Sequence, residues 1–218
     1  MISTTLSKLL RRNKSYLLAY FAVLAVGLLY FAFEGHGQLV LKVNENRTAL
    51  LDAIMPALTF IGDGIFFALV ITVMLLWNWR LGVLFAAAGT SALILSAILK
   101  RVVFPDVVRP KAYFEGKVAL QMIEGVEVHG KFSFPSGHTL SVFTMLTLIA
   151  FIFSHRRWLA LSALVFAWIV AFSRIYLLQH FLVDILAGSF IGLLIALSTF
   201  VLLGRWAKAT EFSQRLQS

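Results

Sequence analysis

The chain has 218 residues, of which 60% are hydrophobic and only 13% are charged. Soluble domains are closer to half apolar and one quarter charged, so this composition predicts an integral membrane protein with a single domain, residues 1–218. The chain has no Cys, which excludes disulfides and thiolate metal sites. Its formal charge of +9 sits in short loops between apolar segments, so membrane topology explains it better than a nucleic-acid partner does.

Six apolar segments are candidates for membrane-spanning helices, each of which needs about 20 residues. They lie at about residues 16–33, 57–77, 82–99, 139–154, 158–174 and 181–203. The sequence therefore predicts an all-α, polytopic membrane protein with six transmembrane helices.

The connections between these segments differ greatly in length. Residues 100–138 join the third and fourth segments, whereas the joints at 78–81 and 155–157 are short. Long connections in compact proteins are usually functional or disordered, and this one is rich in aromatic residues. We expect it to lie on the outer membrane surface over a functional site, and residues 35–56 to form a partly helical cap.

Charged residues are distributed unequally between the two sides of the predicted membrane protein. The segments assigned to the inner side hold ten Lys and Arg against one acid, Glu211, whereas the outer segments hold nine of each kind. The positive-inside rule then makes the inner side cytoplasmic. We expect a multi-pass protein of the plasma membrane, the inner membrane of a bacterium, with both termini in the cytoplasm and the long connection outside.

His180 and Asp184 lie four residues apart at the start of the last apolar segment, so on a helix they share one face. Asp184 can accept a hydrogen bond from one imidazole nitrogen and leave the other free as a nucleophile or base. Alone, such a pair is more often a structural polar pair at a helix end. Arg174, which closes the preceding segment on the same side, favours a phosphate site because its guanidinium offers several donors to phosphate oxygens.

The tetrapeptide Pro135-Ser136-Gly137-His138 opens the fourth apolar segment. Ser136 is a typical N-cap, Gly137 lets a ligand approach the backbone, and the free amides of a helix start attract anions. His138 is then placed to donate a proton to a leaving oxygen. The alternative is an ordinary capped helix start with a surface histidine.

Further charged residues lie inside the second segment, at the end of the third and in the long connection. Lys100, Arg101 and Arg109 are interfacial anchors if taken alone, but phosphate ligands if taken together with the other two fragments. Asp63 is an acid inside the second segment, where a charge is costly and usually paired or functional. We expect it to pair with Arg101 or Lys111 rather than to contact a substrate.

On these three fragments the chain resembles the type 2 phosphatidic acid phosphatase family of membrane lipid phosphatases, whose site is shared with vanadium haloperoxidases. The family pattern is Lys, six residues and Arg-Pro; then Pro-Ser-Gly-His; then Ser-Arg, five residues, His, three residues and Asp. The second and third parts match in full. In the first part eight residues separate Lys100 from Arg109, and Val102 holds the usual Lys position, so Lys100 or Arg101 is expected to take that role. The resemblance covers about residues 55–203.

The resemblance also implies a role for each matching residue. His180 attacks phosphorus and forms a phosphohistidine, Asp184 orients it, and His138 protonates the departing oxygen and then activates water. The phosphate ligands that it implies are Lys100, Arg109, Ser136, Gly137 and Arg174. Apart from the resemblance, Arg101 and Asp63 are candidates for supporting residues.

The predicted function is hydrolysis of a lipid phosphate or diphosphate at the outer leaflet, with undecaprenyl diphosphate favoured. Phosphatidylglycerophosphate, phosphatidic acid and lipid A 1-phosphate are alternative substrates. A phospholipid transporter and a phosphotransferase are alternatives from other classes, although a transporter needs no positioned nucleophile. No carboxylate cluster indicates a Mg²⁺ or Zn²⁺ site, so we expect metal-independent activity without a cofactor. The motifs do not indicate an oligomeric state.

Overall fold

The structure, a computed structural model, describes residues 2–209. Glu211 and Arg215, which belong to the inner charge count, lie outside this range. Within the range the chain forms ten α-helices and one π-helical turn. In chain order these are α1 (Ile2–Arg12), α2 (Lys14–Glu34), α3 (Gln38–Glu45), α4 (Ala49–Phe60), α5 (Gly64–Trp77), α6 (Trp79–Ile98), the π-helical turn (Leu99–Val103), α7 (Pro110–Phe114), α8 (Gly137–Ile152), α9 (Arg157–Tyr176) and α10 (Leu182–Leu203).

Four of these elements are long and apolar enough to cross a membrane: α2, α6 with its π-helical turn, α9 and α10. A fifth crossing results if α4 and α5, which are bent by 52° at their junction, form one broken span. Helix α8 is apolar but has only 16 residues, fewer than the about 20 that a spanning helix needs. The all-helical membrane class is therefore confirmed, whereas the six-span topology stays a prediction.

Helix α8 lies at the centre of the fold, packed against α6, α9 and α10. Helix α10 approaches it closely because Gly188 and Gly192 carry no side chain. A Cβ atom would lie 2.7 Å from the Ser136 carbonyl oxygen at Gly188, and 2.7 Å from the Leu140 carbonyl oxygen at Gly192. This packing holds the start of α8 beside the start of α10, where the Ser136 amide donates to the Asp184 carbonyl oxygen at 3.1 Å.

Polar contacts join the segment between α2 and α5 to the long connection and to the end of α9. Arg47 donates to Asp52 Oδ1 through Nε at 3.1 Å and Nη2 at 2.9 Å, and it also donates to the Gln121 carbonyl oxygen. Asn44 and Gln121 exchange two hydrogen bonds of 2.8 and 2.9 Å. The Tyr176 hydroxyl donates to Asp52. These contacts hold a partly helical cap next to the turn that carries the candidate site.

Candidate active site

His180 and Asp184 form a buried pair at the start of α10, and each side chain is only 1% exposed. His180 Nδ1 lies 3.4 Å from Asp184 Oδ2. The same carboxylate oxygen accepts hydrogen bonds from Ser133 Oγ at 2.5 Å and from the Phe181 amide at 2.9 Å. These two donors fix the carboxylate beside Nδ1, so the Nε2 atom of the imidazole is left for chemistry.

The turn between α9 and α10 sets the position of His180 relative to Arg174. The Arg174 carbonyl oxygen accepts hydrogen bonds from the Gln179 amide at 2.9 Å and from the His180 amide at 3.2 Å. Leu178 takes up the left-handed backbone region, with φ of 57°, which lets the chain reverse direction in this short turn. The fixed spacing between the arginine and the histidine is therefore built into one hydrogen-bonded turn.

The N-terminus of α8 faces the same site. The fully buried Ser136 caps it, with its hydroxyl accepting from Thr139 Oγ1 at 2.9 Å and from the Thr139 amide at 3.4 Å. At Gly137 a Cβ atom would come within 3.6 Å of Lys100 Nζ. The Lys100 ammonium group thus lies against the first turn of α8, where free amides already favour an anion.

The π-helical turn that carries Lys100 takes up one of the two extra residues in the spacing to Arg109. The Phe104 amide bonds to the Leu99 carbonyl oxygen at 2.8 Å, five residues back. Such a turn takes one residue more than an α-helical turn, and these turns are frequent at functional sites. Lys100 is half-buried against Gly137, whereas Arg101 is exposed. Of the two candidates for the first fragment, Lys100 is the one at the site.

Arg109 is held in place by the long connection and by the turn before α10. It is 8% exposed. Its Nε donates to the Lys131 carbonyl oxygen at 2.9 Å, and its Nη1 donates to Gln179 Oε1. Gln179 Nε2 in turn donates to the Glu127 carbonyl oxygen at 2.7 Å. Burial lowers the pKa of the Arg109 guanidinium, and the Asp184 carboxylate opposes this shift.

Arg174 connects the site to the bend between α4 and α5. Its Nη1 donates to Thr59 Oγ1 at 2.5 Å, so the end of α4 reaches the site. Its Nε is buried and has no hydrogen-bond partner within residues 2–209. An unpaired buried donor is costly, and a phosphate oxygen would satisfy this one.

Asp63 lies on the same bend and contacts the first turn of α8. Its Oδ1 caps α5 by accepting from the Ile65 amide at 2.8 Å, and its Oδ2 lies 3.5 Å from His138 Nε2. The expected pairing of Asp63 with Arg101 or Lys111 is therefore wrong. The break between α4 and α5 turns the carboxylate towards α8 instead.

The charges of the site act on His180 from several sides. Burial lowers the pKa of His180 well below its usual value, and the nearby Arg174, Lys100, Arg109 and His138 lower it further. The imidazole is therefore neutral at neutral pH, and Nε2 carries a lone pair. Three cations around a neutral imidazole can hold a phosphate group and present a nucleophile to its phosphorus.

The structure brings the three sequence fragments together, although they come from separate elements. The residues that meet are Lys100, Arg109, Ser136, Gly137, His138, Arg174, His180 and Asp184. Arg101 stays outside this group.

Three polar residues of the site are absent from the sequence prediction: Ser133, Thr59 and Gln179. Each of them orients a predicted residue through one side-chain hydrogen bond. Ser133 stands between two Phe residues just before Pro135, and Gln179 directly precedes His180. A polar residue in such an apolar stretch next to a motif is the signal that would have indicated them.

A family model gives the class of protein that this fold and site define. The model described as the PAP2 superfamily matches residues 77–208, which is more than half of the chain and includes all three fragments. The chain therefore belongs to the PAP2 superfamily, the type 2 phosphatidic acid phosphatases.

Two curated relatives match over parts of their length. YbjG of Escherichia coli (strain K12), provisionally named an undecaprenyl-diphosphatase, is 38% identical over 87 residues, or 39% of this chain and 41% of the relative. Phosphatidylglycerophosphatase B of Bacillus subtilis (strain 168) is 34% identical over 114 residues, or 45% of this chain and 55% of the relative. The chain thus spans about half the length of the curated relatives that it matches.

Two crystal structures share the fold at low sequence identity. LpxE of Aquifex aeolicus gives a TM-score of 0.65 at 22% identity and covers 76% of this chain and 94% of its own. The transmembrane PAP2 type phosphatidylglycerolphosphate phosphatase of Bacillus subtilis gives a TM-score of 0.63 at 24% identity. This match covers 89% of this chain and 96% of the other chain. At this identity they establish the helical arrangement and leave the substrate open.

Proposed function

We propose that the protein is a membrane phosphatase that removes phosphate from a lipid phosphate or diphosphate through a phosphohistidine at His180. The main support for this proposal is the arrangement of charged side chains around His180. Its Nδ1 faces Asp184 at 3.4 Å, and three cationic side chains, Arg174, Lys100 and Arg109, surround it. Phosphoryl transfer depends mainly on positioning and on neutralising charge, and this arrangement supplies both.

In the first step the lone pair on His180 Nε2 forms a bond to phosphorus. The bond from phosphorus to the lipid oxygen breaks, its electron pair goes to that oxygen, and the oxygen takes a proton from protonated His138. Asp184 stabilises the positive charge that develops on His180 by accepting from Nδ1. Lys100, Arg109 and Arg174 neutralise the phosphate oxygens, and Ser136 and the Gly137 amide complete the ligand set.

In the second step water attacks the phosphohistidine. His138, now neutral, takes a proton from the water, and the bond from phosphorus to Nε2 breaks and returns its electron pair to His180. The products are inorganic phosphate and a lipid alcohol, or a lipid monophosphate if the substrate is a diphosphate. Both histidines end in their starting states.

The proposal places the protein in the inner membrane as one domain, residues 1–218, with six spans, cytoplasmic termini and an outward-facing site. The inner excess of Lys and Arg supports this orientation. We also propose metal-independent activity. Its support is the donor set, because the site is cationic and residues 2–209 contain no group of three His, Asp or Glu side chains that could hold a metal ion.

For the substrate we propose undecaprenyl diphosphate, with phosphatidylglycerophosphate as the second candidate. The match to YbjG favours undecaprenyl diphosphate, and the match to phosphatidylglycerophosphatase B favours phosphatidylglycerophosphate. The three fragments bind only the phosphate that both lipids share.

The experiment that tests this proposal measures phosphate release by the detergent-purified protein. Undecaprenyl diphosphate, phosphatidylglycerophosphate and phosphatidic acid are each supplied with and without EDTA, beside His180→Ala and the exposed control His129→Ala. We expect EDTA-resistant release that is lost in His180→Ala alone, with the fastest turnover on undecaprenyl diphosphate. Release that persists in His180→Ala contradicts the phosphohistidine, and no release from any lipid favours transport or transfer to another acceptor.

A further inference from the structure

Asp63 faces His138 from a separate element that is shaped for this contact. The carboxylate follows the 52° bend between α4 and α5. Gly62 allows the bend to pack on the first turn of α8, because a Cβ atom there would lie 2.9 Å from the His138 carbonyl oxygen. Asp63 Oδ2 then lies 3.5 Å from His138 Nε2, with the two side chains 34% and 29% exposed.

The surroundings of His138 pose a chemical problem for the proposed function. A general acid must carry a proton when the lipid oxygen departs, yet Arg174, Lys100 and Arg109 place three positive charges around this imidazole, with His180 nearby. A like charge disfavours a further cation. The substrate phosphate offsets part of this charge, and a fixed anion close to His138 would favour the imidazolium further.

We propose that Asp63 is a positioning residue that orients His138 and balances the charge of its imidazolium, so that His138 acts as the general acid. The inference rests on the proposed function. Asp184 is already engaged by His180, Ser133 and the Phe181 amide. At 3.5 Å, Asp63 attracts the imidazolium without a short hydrogen bond to Nε2, so the departing oxygen can still take the proton.

A purely structural role for Asp63 makes a different prediction. Its Oδ1 caps α5 through the Ile65 amide at 2.8 Å, and Asn caps a helix start as well as Asp does. Asp63→Asn therefore keeps the cap and removes only the charge. Glu115→Gln is the matched control, because it removes one exposed carboxylate from the long connection.

The test compares two single-chain substrates that differ in the leaving group, dodecyl phosphate and 4-octylphenyl phosphate. A phenol, with a pKa of about 10, leaves without much help from an acid, whereas an alkanol needs the proton. We expect Asp63→Asn to lower kcat/KM about 10-fold or more on dodecyl phosphate and less than about 3-fold on the phenyl ester. His138→Gln should likewise lower kcat/KM more on dodecyl phosphate than on the phenyl ester. The double variant with Asp63→Asn should have the same kcat/KM as His138→Gln alone.

Several outcomes overturn the proposal. Equal losses on both substrates, additive losses in the double variant, or losses matched by Glu115→Gln contradict the charge-balancing role. If the wild type releases phosphate from at least one substrate, these outcomes overturn the role of Asp63 and leave the proposed function intact. If the wild type releases none from either ester or from the natural lipids, the proposed function fails, and the acid role of Asp63 fails with it.

Discussion

The Ser133 hydroxyl donates a 2.5 Å hydrogen bond to Asp184 Oδ2, the carboxylate oxygen that lies 3.4 Å from His180 Nδ1. Ser133 is fully buried, and it belongs to the long connection rather than to α10. The end of that connection therefore fixes the carboxylate that orients the proposed nucleophile. The long connection therefore supplies an orienting residue in addition to the phosphate ligands expected from its sequence.

We predict that Ser133→Ala lowers kcat about 10-fold or more with little change in KM. A hydrogen bond to a charged group is worth about 1.5–3 kcal/mol, and each 1.4 kcal/mol or so corresponds to a factor of ten. The control is Ser189→Ala, which removes another fully buried hydroxyl, one that bonds Tyr20 at 3.1 Å. Equal kcat losses in the two variants, measured by phosphate release, would show that the effect is general to buried serines.

We predict that His180 stays neutral well below pH 6.5 in the free protein. Burial lowers its pKa well below the usual value, and the charges of Arg174, Lys100 and Arg109 act in the same direction. As the pH falls from 8 to 5.5, an ordinary histidine, with a pKa of about 6.5, gains a proton, whereas His180 should not. The measurement is nitrogen NMR of histidine-labelled protein, with the His180 signal assigned by its loss in His180→Gln. A midpoint near 6.5 for this signal would contradict the prediction.

We predict that Lys100→Ala lowers kcat/KM about 100-fold, because a preorganised charge at the reacting phosphate is lost. Arg101→Ala should stay within about 3-fold, since an exposed cation contributes little. Phosphate release by the two purified variants, compared side by side, shows which of the two side chains binds the phosphate. A larger loss in Arg101→Ala would mean that the π-helical turn presents the other residue to the substrate.

We predict that Gln179→Met raises the inhibition constant of inorganic phosphate about 10-fold, because Arg109 loses the side chain that accepts from its Nη1. The apolar replacement has a similar size. Gln121→Met is the control, since Gln121 is exposed and its hydrogen bonds to Asn44 use backbone atoms. Combining Gln179→Met with Arg109→Gln should add little to the loss from Arg109→Gln alone, and full additivity would mean that the two residues act separately.

Hydropathy predicts the long helices well because each one depends on a run of apolar residues. It treats residues 57–77 as one continuous segment, however, and misses the bend at Gly62-Asp63-Gly64. Two glycines and an N-capping aspartate interrupt the helix there. The direction of that bend depends on packing against α8, which no local pattern contains. For this reason the partner of Asp63 is wrong in the sequence prediction.

The motif residues were predictable because phosphate chemistry restricts them to a few residue types at fixed spacings. The residues that orient them were not, because their contacts join distant parts of the chain. Ser133 reaches Asp184 across 51 positions and Arg109 reaches Gln179 across 70. The extra spacing after Lys100 was visible in the sequence, but the π-helical turn that takes up one of its two extra residues was not.

We predict that the long connection faces the periplasm and that the joint between α8 and α9 faces the cytoplasm. The chain has no Cys, so single cysteines introduced by Lys117→Cys and Arg156→Cys report the two sides without background. Both positions are exposed, and the excess of Lys and Arg in the inner segments gives the physical reason for the orientation. A membrane-impermeant maleimide should label Lys117→Cys in intact cells and Arg156→Cys only after lysis. The reverse pattern would place the candidate site on the cytoplasmic side and contradict an outer-leaflet substrate.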